Sequence, residues 1–198
     1  MNPWRDTPRL TGSHVTLRPY DDADLDALVA AAADGDLAAL FYTPVSALGD
    51  PAAFAATLRH AREAGRELQF VVEAPGGRVI GFTRLLRMNK SQRRVEIGGT
   101  WYAGSVQRTG VNTEAKLLLL AYAFDTLGCN VVELRTDWLN RASRAAIERL
   151  GAKQDGVLRA HAVLGGRVRD MVCYSITAPE WPGIRTNLQF LLARGETR

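Results

Sequence analysis

The sequence has few cysteines and no long hydrophobic run. Cys129 and Cys173 are the only cysteines in 198 residues, and neither lies in a CxxC or histidine-rich stretch. Two such residues are too few for a disulfide framework and do not suggest zinc, so we expect two reduced, buried thiols. No run of eighteen apolar residues is present, which argues against a membrane span.

The N-terminus lacks the apolar core of a signal peptide, so the expected compartment is the cytoplasm. Apolar residues make up 46% of the chain and charged residues 23%, as is usual for a globular protein. The formal net charge is only +4, and no basic cluster is interleaved with aromatics. This mild excess favours one anionic ligand over a nucleic-acid surface, so we do not expect nucleic-acid binding.

The hydrophobic period changes repeatedly along the chain. The predicted strands are Val15–Pro19, Leu68–Glu73, Arg78–Arg87, Val95–Tyr102, Asn130–Asp137, Gly156–Leu164 and Arg169–Ile176. The predicted helices follow Asp21, run from Pro51 towards Gly65, cover Asn112–Leu127 and Arg141–Leu150, and close the chain at about residues 180–194. This order predicts mixed α/β layering. Without a repeat or linker, we expect one domain over residues 1–198, with its core at about 12–178.

The segment from Gln107 to Thr113 joins the predicted strand Val95–Tyr102 to the most apolar predicted helix. The first N–H groups of a helix lack internal partners, and its dipole makes that end electropositive. Gly110 permits a close approach or a positive φ, so the segment suits an anion such as a pyrophosphate. An ordinary strand–helix turn, with Asn112 or Thr113 as N-cap, explains the same residues equally well.

Several motifs in order carry a family resemblance. Gln107 and Gly110 match the Gln/Arg-x-x-Gly-x-Gly/Ala loop of the GNAT acetyltransferases, with Asn112 where a small residue is usual. The run from Thr109 to Lys116 resembles the branch that contains the ribosomal-protein N-terminal acetyltransferases. An Asn-x-x-Ser helix start at Asn140 and a final hairpin also resemble this branch, over roughly residues 12–192.

The resemblance implies a mostly antiparallel twisted sheet of about seven strands, split by a V-shaped gap, with helices on both faces. It implies acetyl-CoA as co-substrate, no metal and a homodimer. The pantetheine arm would lie between Val95–Tyr102 and Asn130–Asp137, where Gly98 and Gly99 suggest a bulge. The residues implied to bind the donor are Trp101, Tyr102, Gln107, Arg108, Thr109, Gly110, Val111, Asn112, Thr113, Asn140 and Ser143.

Acyl transfer to an amine requires removal of a proton from the amine and a proton for the departing thiolate. Glu96 is the candidate base; an ion pair with Arg84 or Arg94 is the alternative role. The resemblance gives Ser143 the role of thiolate acid and Asn140 that of pantetheine contact, although Asn140 also suits an N-cap. A backbone N–H between Gly99 and Tyr102 is the expected oxyanion donor.

The acceptor is expected to be a primary amine, either a protein N-terminus or a small molecule. Arg159, Arg169 and Asp170 are candidates to bind a substrate carboxylate or phosphate. For Arg159 and Asp170, a cross-strand ion pair is the favoured alternative. His161 alternates with apolar neighbours and lies where it could reach the substrate. A different function, a catalytically silent acyl-CoA sensor, would keep Gly110 without the proton-transfer groups.

Overall fold

A computed structural model describes residues 2–42 and 49–195, in which eight strands form one sheet. The strands are β1 Leu10–Thr11, β2 Thr16–Pro19, β3 Leu68–Glu73, β4 Val79–Asn89, β5 Arg94–Tyr102, β6 Val131–Asp137, β7 Lys153–Leu164 and β8 Arg167–Thr177. Their order in space is β1-β2-β3-β4-β5-β6-β8-β7, and only the β5–β6 pair is parallel. The expected mostly antiparallel sheet is confirmed. The additional strand, β1, is only two residues long, too short to show a period in the sequence.

In the described part of the chain, five α-helices cover the two faces of the sheet. They are α1 Leu25–Ala32, α2 Pro51–Glu63, α3 Gly110–Ala121, α4 Arg141–Arg149 and α5 Trp181–Ala193. One buried cluster joins the strands to α3 and α5, for example through Leu119 and Leu188. A second cluster joins the opposite face to α1 and α2 through Leu28 and Leu58. The predicted fold class is therefore confirmed, with helices on both faces.

Side-chain alternation divides the residues of β5 between these two faces. Val95 and Ile97 belong to the cluster beneath α3 and α5. Glu96 lies between them along the strand and therefore faces the side of α1 and α2. On β6, Leu134 belongs to the same cluster as Val95, so Arg135 shares the face of Glu96.

The parallel strands β5 and β6 part after three residues of pairing. The pairs run from Arg94 opposite Val131 to Glu96 opposite Glu133, although both strands continue further. A bulge in β5 places two residues opposite Thr83 of β4, and Gly99 within it has a φ of 58°. This confirms the predicted bulge and the predicted V-shaped gap.

The helix after β5 begins earlier than predicted. It starts at Gly110, and Thr109 is the N-cap because its hydroxyl accepts from the Val111 N–H at 3.4 Å. Asn112 and Thr113 are inside the helix, so the expectation that one of them caps it is wrong. Thr109 is the N-cap because its backbone is extended, which places its hydroxyl over the first turn of the helix. A π-helical segment, Tyr122–Thr126, continues α3.

Both cysteines are free; Cys129 is buried, whereas Cys173 is only half-buried on β8. None of the helices in the described part of the chain is long and apolar enough to cross a membrane.

Candidate active site

A cavity of about 560 Å³ lies where β5 and β6 part. Asn112 of α3 and Ser143 of α4 line it from one face of the sheet. Leu37 and Tyr42, from the segment after α1, line it together with Glu96 from the other face. The cavity therefore passes through the sheet, so that two reactants can meet in it from opposite faces.

The start of α3 forms one wall of this cavity. The side-chain amide of Gln107 donates to the Tyr102 carbonyl at 3.2 Å, which fixes the exit of the chain from β5. Of the two properties expected to explain Gly110, the positive φ is absent there and occurs at Arg108, at 60°. A Cβ at Gly110 would lie 3.2 Å from the ring of His14, so this glycine serves close packing. Unpaired N–H groups of the first turn remain suited to an anion.

The predicted donor-binding residues of this segment divide into two groups. Gln107 and Asn112 line the cavity, whereas the side chains of Arg108 and Thr109 are exposed beside it. Gly110 and Val111 are buried, so only their backbone is suited to a ligand. Thr113 is fully buried, and its hydroxyl accepts from Arg149 Nη2 at 2.9 Å. This hydroxyl faces α4 and ties the two helices together.

Glu96 lies at the cavity wall and is only 5% exposed. Its Oε2 is 3.3 Å from Arg87 Nε and 3.3 Å from Arg135 Nε. Burial raises the pKa of Glu96 above its ordinary value, and these arginines partly oppose that rise. The alternative role as an ion-pair partner thus involves different arginines from those expected. Arg84 pairs with Glu67, and Arg94 pairs with Glu133.

Asn140 and Ser143 lie on the other side of the cavity from Glu96. Asn140 caps α4, as predicted, because its Oδ1 accepts from the Ser143 N–H at 3.0 Å. The Nδ2 group of Asn140 is then the part able to donate to a ligand carbonyl. Ser143 is half-buried and lines the cavity, so its hydroxyl is suited to a proton transfer there.

Trp101 and Tyr102 both line the cavity near the end of β5. Trp101 also belongs to the core on the side of α1 and α2, so it packs in the core and lines the cavity at once. The Tyr102 hydroxyl is buried and has no hydrogen-bond partner within residues 2–42 and 49–195. Burial raises the pKa of Tyr102, so it stays a neutral phenol.

Lys116 is a cavity residue that the sequence analysis did not single out. It is 5% exposed, and its Nζ donates to Thr100 Oγ1 at 2.8 Å. Thr100 Oγ1 in turn lies 2.7 Å from Thr83 Oγ1, so the lysine anchors the bulge of β5. Burial lowers the pKa of Lys116 to about 7. A lysine directly before the apolar run Leu117–Leu120 was the available sequence signal.

Among the candidate substrate-binding residues, Arg169 lines the cavity and pairs with Asp137, whereas Arg159, Asp170 and His161 lie outside the lining. Arg159 and Asp170 form the cross-strand ion pair, at 2.8 Å. His161 is exposed on β7 and does not line the cavity. Within the ranges described, no three His, Cys, Asp or Glu side chains are grouped as metal ligands.

A mostly antiparallel sheet that splits at its parallel pair, with a helix N-terminus beside the split, is the arrangement that the resemblance to the GNAT acetyltransferases implies. The acetyltransferase (GNAT) domain family matches residues 14–153. The chain therefore belongs to the GNAT acetyltransferase family, which uses acetyl-CoA as acyl donor. The predicted family and enzyme class, an N-acetyltransferase, are confirmed.

Individual relatives support the predicted branch. YdaF of Bacillus subtilis (strain 168), provisionally named a ribosomal N-acetyltransferase, is 34% identical over 107 residues, which are 54% of this chain. The match covers 58% of that curated relative, a little over half its length.

Solved structures match over nearly the whole chain. A GCN5-related N-acetyltransferase from Brucella melitensis is 31% identical, with a TM-score of 0.84, over 94% of this chain and 86% of that one. Mycobacterium smegmatis RimJ, solved with CoA-disulfide, is 25% identical, with a TM-score of 0.77, over 98% of this chain and 96% of that one.

Proposed function

We propose that this protein transfers the acetyl group of acetyl-CoA to a primary amine, which attacks the thioester directly. The observation that carries the proposal is the cavity at the parting of β5 and β6. It has Glu96 on one face of the sheet and Ser143 on the other. An amine and a thioester that enter from opposite faces would meet between a base and an acid.

The donor would bind along the side of α3 and α4. Backbone N–H groups between Arg108 and Thr113 would hold its pyrophosphate. Among the residues that the structure describes, strand β5 has no ladder partner on the β6 side beyond Glu96, so its backbone can pair with the amides of the pantetheine arm. Asn140 Nδ2 would donate to a pantetheine carbonyl from the opposite wall.

The chemistry needs two proton transfers and one oxyanion contact. Glu96 would take a proton from the attacking amine, directly or through water, because its raised pKa brings it closer to neutral pH. A backbone N–H between Gly99 and Tyr102 would stabilise the oxyanion, since the bulge turns the strand there. Ser143 would donate a proton to the departing thiolate.

The acceptor we propose is a protein N-terminus, with small amines as the second class. The name of YdaF, a ribosomal N-acetyltransferase, supports the first class. We also propose that the chain acts in the cytoplasm as one domain, and as a homodimer. Exposed Phe190 on α5 supports the homodimer. Sedimentation equilibrium tests it, and a monomer at micromolar concentration would contradict it.

A catalytically silent acyl-CoA sensor is the alternative function. The retention of Glu96 and Ser143 on opposite walls of one cavity supports the enzyme over the sensor. The test measures thiol release from acetyl-CoA with a panel of peptide N-termini and small amines. Release that depends on an amine, with an acetylated product in the mass spectrum, is the expected result. Tight acetyl-CoA binding with no transfer to any amine would favour the sensor.

A further inference from the structure

Arginines dominate the charged groups that line the cavity. Arg84, Arg87, Arg135 and Arg169 line it, whereas Glu96 is the only carboxylate among the described lining residues. Three of these arginines form an ion pair with a carboxylate other than Glu96. Arg84 pairs with Glu67, Arg135 with Glu133 and Arg169 with Asp137. These three side chains are therefore largely neutralised by the protein itself.

Arg87 differs from the other three. Its Nε lies 3.3 Å from Glu96 Oε2, and no other carboxylate of the described residues is within ion-pair distance. Its side chain is 53% exposed and lines the cavity, so the guanidinium is accessible to a ligand there. A planar guanidinium with two outward N–H donors is the usual receptor for a carboxylate.

The backbone of Arg87 is held in an uncommon conformation. Arg87 and Met88 together oppose Val95 across the β4–β5 ladder, which makes a β-bulge. The φ of Arg87 is 51°, a left-handed conformation in which this type of bulge usually has glycine. A bulky residue in this conformation is strained. Strain of this kind is common at ligand-binding positions, and here it points the arginine at the candidate base.

We propose that Arg87 binds a carboxylate of the acceptor, and that the preferred acceptor is an amine with an acidic group close by. This rests on the proposed function, because it places the reacting amine at Glu96. Arg87 adjoins Glu96, so one chain can reach both if its carboxylate lies within about two residues, or about 7 Å, of its amine.

Two kinds of acceptor share this chemistry. One is an amino acid, whose own α-carboxylate is next to the amine. The other is a peptide with aspartate or glutamate at its second position. Matched pairs of substrates separate them: alanine against alanine amide, and an Ala-Glu peptide amide against the corresponding Ala-Gln peptide amide.

The experiment compares kcat/KM for each pair in the wild type, Arg87→Gln and Arg93→Gln. Arg93 is the matched control, since it is exposed and also has a positive φ (48°), but does not line the cavity. The wild type and Arg93→Gln should prefer the acidic member of at least one pair about tenfold, mainly through KM. Arg87→Gln should reduce this preference to near one, and added salt should weaken it in the wild type.

If the wild type acetylates both members of both pairs at equal rates, the role proposed for Arg87 is wrong, whereas the proposed acetyl transfer stands. A preference that survives in Arg87→Gln would overturn that role as well. If no amine is acetylated at all, the proposed function fails first, and the role of Arg87 fails with it. Melting temperatures of the three proteins show whether Arg87→Gln is folded, and Arg87→Lys, which keeps the charge, should retain part of the preference.

Discussion

Glu96 combines burial with neighbouring positive charge, and the two have opposite effects on its protonation. Burial has the larger effect, so the pKa of Glu96 is raised above that of an exposed carboxyl. A base is useful only when deprotonated, so the rate should rise as pH increases through this raised pKa. At higher pH more of the amine is already neutral, and a base matters less.

Substitution of Glu96 by glutamine tests this role. Because glutamine cannot accept the proton, kcat/KM should fall about a hundredfold near neutral pH, and the loss should shrink as pH rises towards the pKa of the amine. The measurement is a pH–rate profile of both proteins with one peptide acceptor. Coenzyme A binding should be unchanged, which separates catalysis from donor binding. Superimposable profiles would show that Glu96 is only an ion-pair partner.

Lys116 is a second buried ionisable residue, and its shifted pKa affects the stability of the fold. Its pKa is about 7 in the folded protein and 10.5 in an ordinary setting. Between these values the unfolded chain binds more protons than the folded protein, so the free energy of unfolding rises with pH. Below about pH 7 both states are protonated, and this stabilisation is absent. The lysine therefore lowers stability most at acidic pH.

Replacement of Lys116 by methionine should remove this pH dependence. The difference in unfolding free energy between Lys116→Met and the wild type should favour the variant by a few kcal/mol near pH 6 and shrink towards pH 10. Urea unfolding at several pH values measures the difference, in which groups common to both proteins cancel. A constant difference across this range would mean that Lys116 titrates normally.

Among the elements, strand β5 has the largest influence on the site. Gly99 in its bulge has a φ of 58°, and a Cβ there would lie 2.5 Å from Arg84 Nε. Any side chain would strain the backbone and displace Arg84 from Glu67. The bulge also brings the backbone N–H groups proposed for the oxyanion to the cavity wall.

Gly99→Ala should therefore cost more than the backbone strain alone. Gly76 is the matched control, because it has a φ of 90° in the β3–β4 turn and open space around its Cβ. Gly76→Ala should lose roughly 1–2 kcal/mol of stability and no activity. Gly99→Ala should lose more stability, and kcat should fall as well. Equal losses in denaturant unfolding with unchanged kcat would contradict a role of the bulge in catalysis.

Sequence patterns predicted most elements because their periods and caps are local. The α4 helix illustrates this, since Asn140, Ile147 and Gly151 mark its cap, buried face and end. The start of α3 was misplaced because Thr109, Asn112 and Thr113 are all good caps, and only the backbone of the preceding turn selects among them.

Part of the site was predictable from the sequence, because some of its residues lie in local sequence motifs. Glu96, Asn140 and Ser143 lie in recognisable motifs, and the structure brings all three to one cavity. The position of Arg87 was not predictable, because a left-handed arginine in a strand has no sequence signature comparable with glycine. Its pairing with Glu96 depends on the register of β4 and β5, which the sequence pattern does not specify.

At the scale of the whole molecule, the sheet separates two entrances to one cavity. The donor would approach beside α3 and α4, and the acceptor from the face of Glu96 and Arg135. This division predicts that coenzyme A stabilises the whole fold, because it would bridge α3, α4, β5 and β6. A ligand at a hundred times its Kd adds about 2.7 kcal/mol of stability.

Thermal unfolding measures this stabilisation. The melting temperature should rise with the logarithm of coenzyme A concentration, whereas ATP, which lacks the pantetheine arm, should raise it much less. An equal response to ATP would indicate a nucleotide site without a place for pantetheine.

The gap where β5 and β6 part is the proposed donor site. A crystal structure of the protein with coenzyme A would show whether the donor binds there. The pyrophosphate should accept from N–H groups between Arg108 and Thr113, and the pantetheine should pair with β5 beyond Glu96 and end between Glu96 and Ser143. Coenzyme A bound elsewhere, with this gap left to solvent, would contradict the account.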